Sequence, residues 1–147
     1  DCEVLMGTST AGIAHAALVA DILNKPMGYV RGSNKSHGRQ NRIEGAVREG
    51  MKVVVVEDLI STGGSSLEVV DALREAGCEV LGLVAIFTYG LKDSIKNFAD
   101  KDCHFVTLSN YDALLPVAVE HNYIKEEALE KLKAWKVDPH DESWMTK

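Results

Sequence analysis

Hydrophobic positions follow two alternating rhythms from the first residues to about residue 135. Short, mostly apolar runs (residues 3–6, 27–30, 53–56, 79–87 and 104–108) alternate with stretches whose apolar residues recur every three or four positions. The runs predict strands. The stretches at 13–23, 67–76, 94–98, 117–121 and 124–135 predict helices, with Leu67, Val70 and Leu73 on one stripe and Leu129, Leu132 and Trp135 on another. Regular β/α alternation implies an α/β fold, a doubly wound parallel sheet flanked by helices. Its core is expected to cover residues 1–137, leaving a mostly polar tail at 138–147.

The run Val53-Val54-Val55-Val56 shows no polar alternation, as a central strand covered on both faces requires. Glu57 and Asp58 follow it, then Leu59, Ile60 and the loop Ser61-Thr62-Gly63-Gly64-Ser65. In open α/β sheets, ligands bind at the carboxyl ends of strands. Glycines that permit close backbone approach, hydroxyl donors and a helix start behind them suit a phosphate. An acid followed by Ser and Thr can also form an ordinary turn and helix cap.

A second small-residue loop, Gly7-Thr8-Ser9-Thr10-Ala11-Gly12, joins the first strand to an alanine-rich helix. Its glycine spacing lacks the Lys-Ser/Thr of a P-loop, since Ile13-Ala14 follows, so it reads as a general anion-binding turn.

Composition narrows the picture. The 147 residues are 46% hydrophobic, enough to fill one core, and 16 Lys and Arg against 22 Asp and Glu give a net charge of −6. That balance argues against a general nucleic-acid or membrane-surface binder. Cys2, Cys78 and Cys103 are widely spaced without a CxxC, which suits reduced thiols in a cytoplasmic protein. Against this acidic background, residues 31–48 carry five Lys and Arg, one acid and three glycines. A solvated hairpin would look similar. A glycine-bearing basic arm beside a strand-end site also suits an anionic ligand.

Acid-acid-x-x-Ser/Thr-x-Gly-Gly-Ser behind a hydrophobic strand resembles the phosphoribosyl pyrophosphate (PRPP) motif of type I phosphoribosyltransferases. Gly7-Thr8-Ser9-Thr10-Ala11-Gly12-Ile13, Tyr29-Val30-Arg31, Lys35-x-His37-Gly38 and Asn41-x-Ile43-Glu44-Gly45 resemble the orotate phosphoribosyltransferase branch. The resemblance implies transfer of the 5-phosphoribosyl group from PRPP to orotate, giving orotidine 5′-monophosphate and pyrophosphate in pyrimidine synthesis. It further implies Mg2+ and a homodimer whose basic arm reaches the neighbouring site. The PRPP residues it assigns are Arg31, Lys35, His37, Glu57, Asp58, Leu59, Ile60, Ser61, Thr62, Gly63, Gly64 and Ser65. Lys35, His37 and Asp58 are given catalytic parts, Glu57 and Asp58 the ribose hydroxyls, and Ser61 and Tyr89 contacts to orotate. Thr8, Ser9, Thr10 and Ala11 form the implied pyrophosphate loop.

Three positions depart from the pattern. Gly32 and Thr10-Ala11 stand where some members have lysine, and no arginine lies beside Tyr89. The resemblance also implies an N-terminal hood of roughly sixty residues, absent from these 147, within a domain of ordinary size. Purine phosphoribosyltransferases and PRPP-sensing regulators share the loop, and the Lys35 and His37 arm counts against a regulator.

Overall fold

The computed structural model describes residues 1–32, 42–45 and 47–146. Among them the chain forms β1 (Val4–Thr8), α1 (Ala11–Leu23), β2 (Met27–Val30), β3 (Ile43–Glu44), β4 (Lys52–Ile60) and α2 (Gly64–Glu75). It continues through β5 (Glu79–Thr88), α3 (Lys92–Asp100), β6 (Phe105–Asn110), α4 (Tyr111–Glu120) and α5 (Leu129–Val137), with 3-10 turns at Glu126–Ala128 and Glu142–Thr146.

The strands form one sheet in the order β3-β2-β1-β4-β5-β6. From β1 the chain winds outward to β2 and β3, then returns to the other side of β1 as β4. The β1/β4 boundary is thus the switch point, where the loops leaving two adjacent strands diverge and open a crevice.

Both faces of the sheet are covered near that boundary, as the unbroken valine run predicts. Val53 and Val55 join Val4, Met6, Leu83 and Ala85 against Leu67, Val70 and Leu73 of α2 and Phe98 of α3. Val56, with Leu5, packs on Ala16 and Ala20 of α1, and Val54 lies against the same cluster. Alternate side chains of one strand therefore feed two cores.

The sheet is doubly wound and parallel as expected, except for one short edge strand that makes it mixed. β1, β2, β4, β5 and β6 are parallel, but Tyr29 and Val30 pair antiparallel with Glu44 and Ile43. β3 therefore runs back along β2 as an antiparallel edge. A Cβ on Gly28 would lie 2.4 Å from the Glu44 carbonyl oxygen, so this close edge pairing needs glycine.

Two boundaries also move. β4 runs on to Ile60, so the acidic pair lies within a strand that β5 supports as far as Thr88. α4 starts at Tyr111, because the Asn110 side chain accepts from the Ala113 N–H at 2.9 Å and the helix carries Pro116 within it. No helix among the described residues is long and apolar enough to cross a membrane.

α1 lies so close to β1 that a Cβ on Gly12 would fall 2.3 Å from Thr8 Oγ1 and 2.5 Å from the Val56 carbonyl oxygen. Gly12→Ala is expected to destabilise the fold by about 1–3 kcal/mol through overpacking. Urea unfolding checks this, and an unchanged midpoint would show that α1 can shift at no cost.

Candidate active site

At the carboxyl end of β4 the chain turns through Ser61, Thr62 and Gly63 before α2 begins at Gly64. Gly63 adopts φ 82°, and a Cβ there would meet Phe98 Cε2 at 2.5 Å, so glycine serves both the turn and the contact beneath it. Three further bonds fix the base of the loop. Asn97 Nδ2 donates to the Thr62 carbonyl at 3.0 Å, while Thr88 Oγ1 and the Tyr89 N–H donate to the Ile60 carbonyl at 3.2 and 3.1 Å. Ser61, Thr62, Gly64 and Ser65 remain exposed. The first turn of α2 contains no acidic residue and no capping side chain, so its N–H groups and positive dipole end meet solvent. This geometry suits an anion of phosphate size.

Behind the loop sits Glu57, 5% exposed. Its Oε1 accepts from Thr8 Oγ1 at 2.5 Å and from the Asp58 N–H at 3.0 Å, and its Oε2 accepts from Ser66 Oγ at 2.8 Å. β1, β4 and α2 thus converge on one carboxylate. Burial pushes the Glu57 carboxyl above its ordinary range, and hydrogen bonding with the Asp58 side chain adds to the rise. The Thr8 and Ser66 hydroxyls and the Asp58 N–H pull the other way, without cancelling it.

The resemblance implies that both acids meet the ribose hydroxyls. In the structure both Glu57 oxygens have protein donors, whereas Asp58 is half-buried at the crevice. Leu59 is exposed beside it, and Ile60 is wholly buried in the core, present at the site through its backbone.

The second loop is shorter than its motif suggests. Thr8 is the last residue of β1, 3% exposed, with its hydroxyl turned to Glu57 and to the Val56 carbonyl at 3.4 Å. Ser9 Oγ donates to the Val30 carbonyl at 2.7 Å, and the Ser9–Thr10 peptide is cis. Ser9, Thr10 and Ala11 are the exposed part of the loop, leading into α1.

Arg31 stands where the basic arm leaves β2. Its N–H donates to the Arg42 carbonyl at 2.8 Å and its Nε lies 3.3 Å from Glu44 Oε1. Arg42 Nε donates back to the Arg31 carbonyl at 3.0 Å, so the stem of the arm is closed. Lys35 and His37 lie outside the described residues.

Tyr89, assigned to orotate, is half-buried in an aromatic group. Its ring centroid lies 5.3 Å from Trp135, 5.7 Å from Phe87 and 5.8 Å from Tyr111, all edge-on. That packing gives the ring a structural task, tying α4 and α5 to the end of β5. Ser66 was missed as a functional residue. Its place two residues into the helix, nine after Glu57, was the available signal, but a helical serine reads equally as a helix-start residue.

Residues 3–122 match the phosphoribosyl transferase domain family. The chain is 62% identical over 143 residues to an orotate phosphoribosyltransferase of Bacillus pumilus, covering 97% of this chain and 68% of the relative. With the orotate phosphoribosyltransferase of Bacillus subtilis the identity is 54% over 147 residues, 100% of this chain and 68% of that one. Among solved structures, orotate phosphoribosyltransferase from Aeropyrum pernix aligns with a TM-score of 0.71 at 30% identity, over 78% of this chain and 64% of that one. The chain therefore spans about two thirds of the length of these relatives.

The folded chain holds a proton on Glu57 more tightly than an unfolded one does. Stability then falls as pH rises from the ordinary value of 4.5 through the raised folded value, and the loss is complete above it. Glu57→Gln abolishes this titration. The stability of E57Q relative to its parent should climb as pH is raised across that window, read by urea unfolding at each pH. A difference independent of pH would show that Glu57 titrates as it does in the unfolded chain.

Proposed function

The chain belongs to the orotate phosphoribosyltransferase family, and from that premise we propose how its crevice serves transfer of the 5-phosphoribosyl group from PRPP to orotate. The convergence of two anion-suited loops on one buried carboxylate at the β1/β4 switch point carries this reading. The exposed loop 61–65 receives the 5′-phosphate on backbone N–H groups and hydroxyls, Ser61 also facing orotate. Residues 9–11 receive the pyrophosphate. Asp58, half-buried between them, accepts from the ribose hydroxyls.

In the reaction the C1–O bond to pyrophosphate breaks, charge grows on the leaving group, and a nitrogen of orotate bonds to C1 with loss of its proton to solvent. The products are orotidine 5′-monophosphate and pyrophosphate. Arg31, Lys35 and His37 are assigned to the leaving pyrophosphate, where fixed positive charge favours the transition state over the ground state. Mg2+, when bound, neutralises part of the pyrophosphate charge. PRPP oxygens and water are ligands of the hard type it takes, and no protein side chain is assigned to it.

The protein is also assigned a homodimeric state in the cytoplasm, with the arm of one subunit reaching its partner's site. Apolar side chains left open on α1 and β6 support self-association: Ile22 and Leu108 are 81% and 86% exposed, with Leu18 and Val106 also exposed.

Asp58→Asn is expected to weaken PRPP binding or turnover while leaving the unfolding midpoint near the parent's, and unchanged kinetics would remove Asp58 from the ribose. Lys35→Ala should lower kcat by roughly 10²- to 10³-fold, the scale of one lost preorganised charge contact. Near-parent turnover would take Lys35 out of the transition state. Pyrophosphate release in the presence of PRPP, Mg2+ and a panel of bases tests the substrate itself. Orotate is the base expected to support it, and release with a purine base instead would overturn the assignment.

A further inference from the structure

Thr8 and Ser66 are 58 residues apart, on different elements, and both donate to Glu57. All three side chains are shut away from water, at 3%, 1% and 5% exposure. Thr8 ends β1 immediately before the loop 9–11, and Ser66 lies in the first turn of α2 immediately behind the loop 61–65. We propose that Thr8 and Ser66 are positioning residues. Their hydroxyls, closing on opposite oxygens of the buried Glu57 carboxylate, fix the spacing between the two loops that grip the two ends of PRPP. This inference rests on the PRPP reading given above.

The physical reason lies in direction and rigidity. Hydrogen bonds to a carboxylate are short, directional and about twice as strong as neutral ones, so each holds its element at a set angle as well as a set distance. Neither donor has much room to swing. Gly12 of α1 packs against the Thr8 hydroxyl so closely that a Cβ there would fall 2.3 Å away, and the Ser66 hydroxyl is spent on Glu57 within the packed face of α2. A buried carboxylate is seldom superior to apolar packing for stability alone. A role in register accounts for its presence between two site loops. The ligand makes that register matter: the 5′-phosphate and the pyrophosphate are joined through one ribose ring, so a shift of either loop puts one end out of reach.

Spacing is felt only by a ligand that spans both loops. Isothermal titration of the full-length protein with PRPP–Mg2+, with ribose 5-phosphate and with pyrophosphate–Mg2+ separates this role from a local one. Thr8→Val and Ser66→Ala are each expected to weaken PRPP by about 10-fold, the scale of one hydrogen bond to a charged group, while changing either half-ligand by less than about twofold. T8S, which returns the hydroxyl, should restore PRPP binding. The double variant T8V/S66A should bind little worse than either single one, because both residues act through the same carboxylate. PRPP affinities within about twofold of the parent in both T8V and S66A would overturn the proposal. So would equal losses for PRPP and the half-ligands, which mark a loop that has merely come apart. Should T8V fail to fold, S66A leaves β1 and its packing untouched and carries the same comparison. A parent protein that binds no PRPP would instead overturn the reading on which the inference rests.

Discussion

The Glu57 carboxylate, enclosed where β1, β4 and α2 meet, has to be satisfied by its neighbours, because a buried charge left unpaired costs several kcal/mol. Its partners are drawn from three elements: the Thr8 hydroxyl, the Asp58 N–H and the Ser66 hydroxyl. The approach of α1 to β1 at Gly12, the turn of the 61–65 loop over Phe98 and the burial of Thr8 all have to be compatible with that one arrangement. The site loops emerge from the elements so joined.

Sheet topology then decides where ligand chemistry can occur. The order β3-β2-β1-β4-β5-β6 puts the reversal of winding between β1 and β4, the strands that Glu57 and Thr8 link. The crevice is therefore lined by backbone N–H groups and small hydroxyl side chains held on strand ends, an arrangement suited to an anion of phosphate size. Arg31, Arg42 and Glu44 close the stem from which residues 33–41 depart. Tyr89, Tyr111 and Trp135 pack α4 and α5 against the end of β5.

Much of this was legible in the chain because it depends on local pattern. The unbroken valines declared a strand buried on two faces, and the valines do divide between two cores. The Ser-Thr-Gly-Gly-Ser stretch declared its loop, since few other residues could satisfy Gly63 at φ 82° above Phe98. Long-range partnership was not legible. Nothing in the spacing of Thr8, Glu57 and Ser66 says that they meet, so two adjacent acids looked equally available to a ligand. Thr8 looked like a loop residue for the same reason. The antiparallel edge strand β3 is two residues long, too short for any periodicity to announce it, and it lay within a segment whose charge dominated its reading. Tyr89 stands at a strand end, but two of its three aromatic partners come from helices 22 and 46 residues further along.

Two loops tied through Glu57 are proposed to hold PRPP by its two ends. A crystal structure of the protein with PRPP and Mg2+ tests this most directly. Expected there are the 5′-phosphate against the N–H groups of residues 62–65, the pyrophosphate against residues 9–11, and Glu57 still accepting from Thr8 and Ser66. PRPP bound elsewhere, or a crevice in which Glu57 has left both hydroxyls, would contradict it.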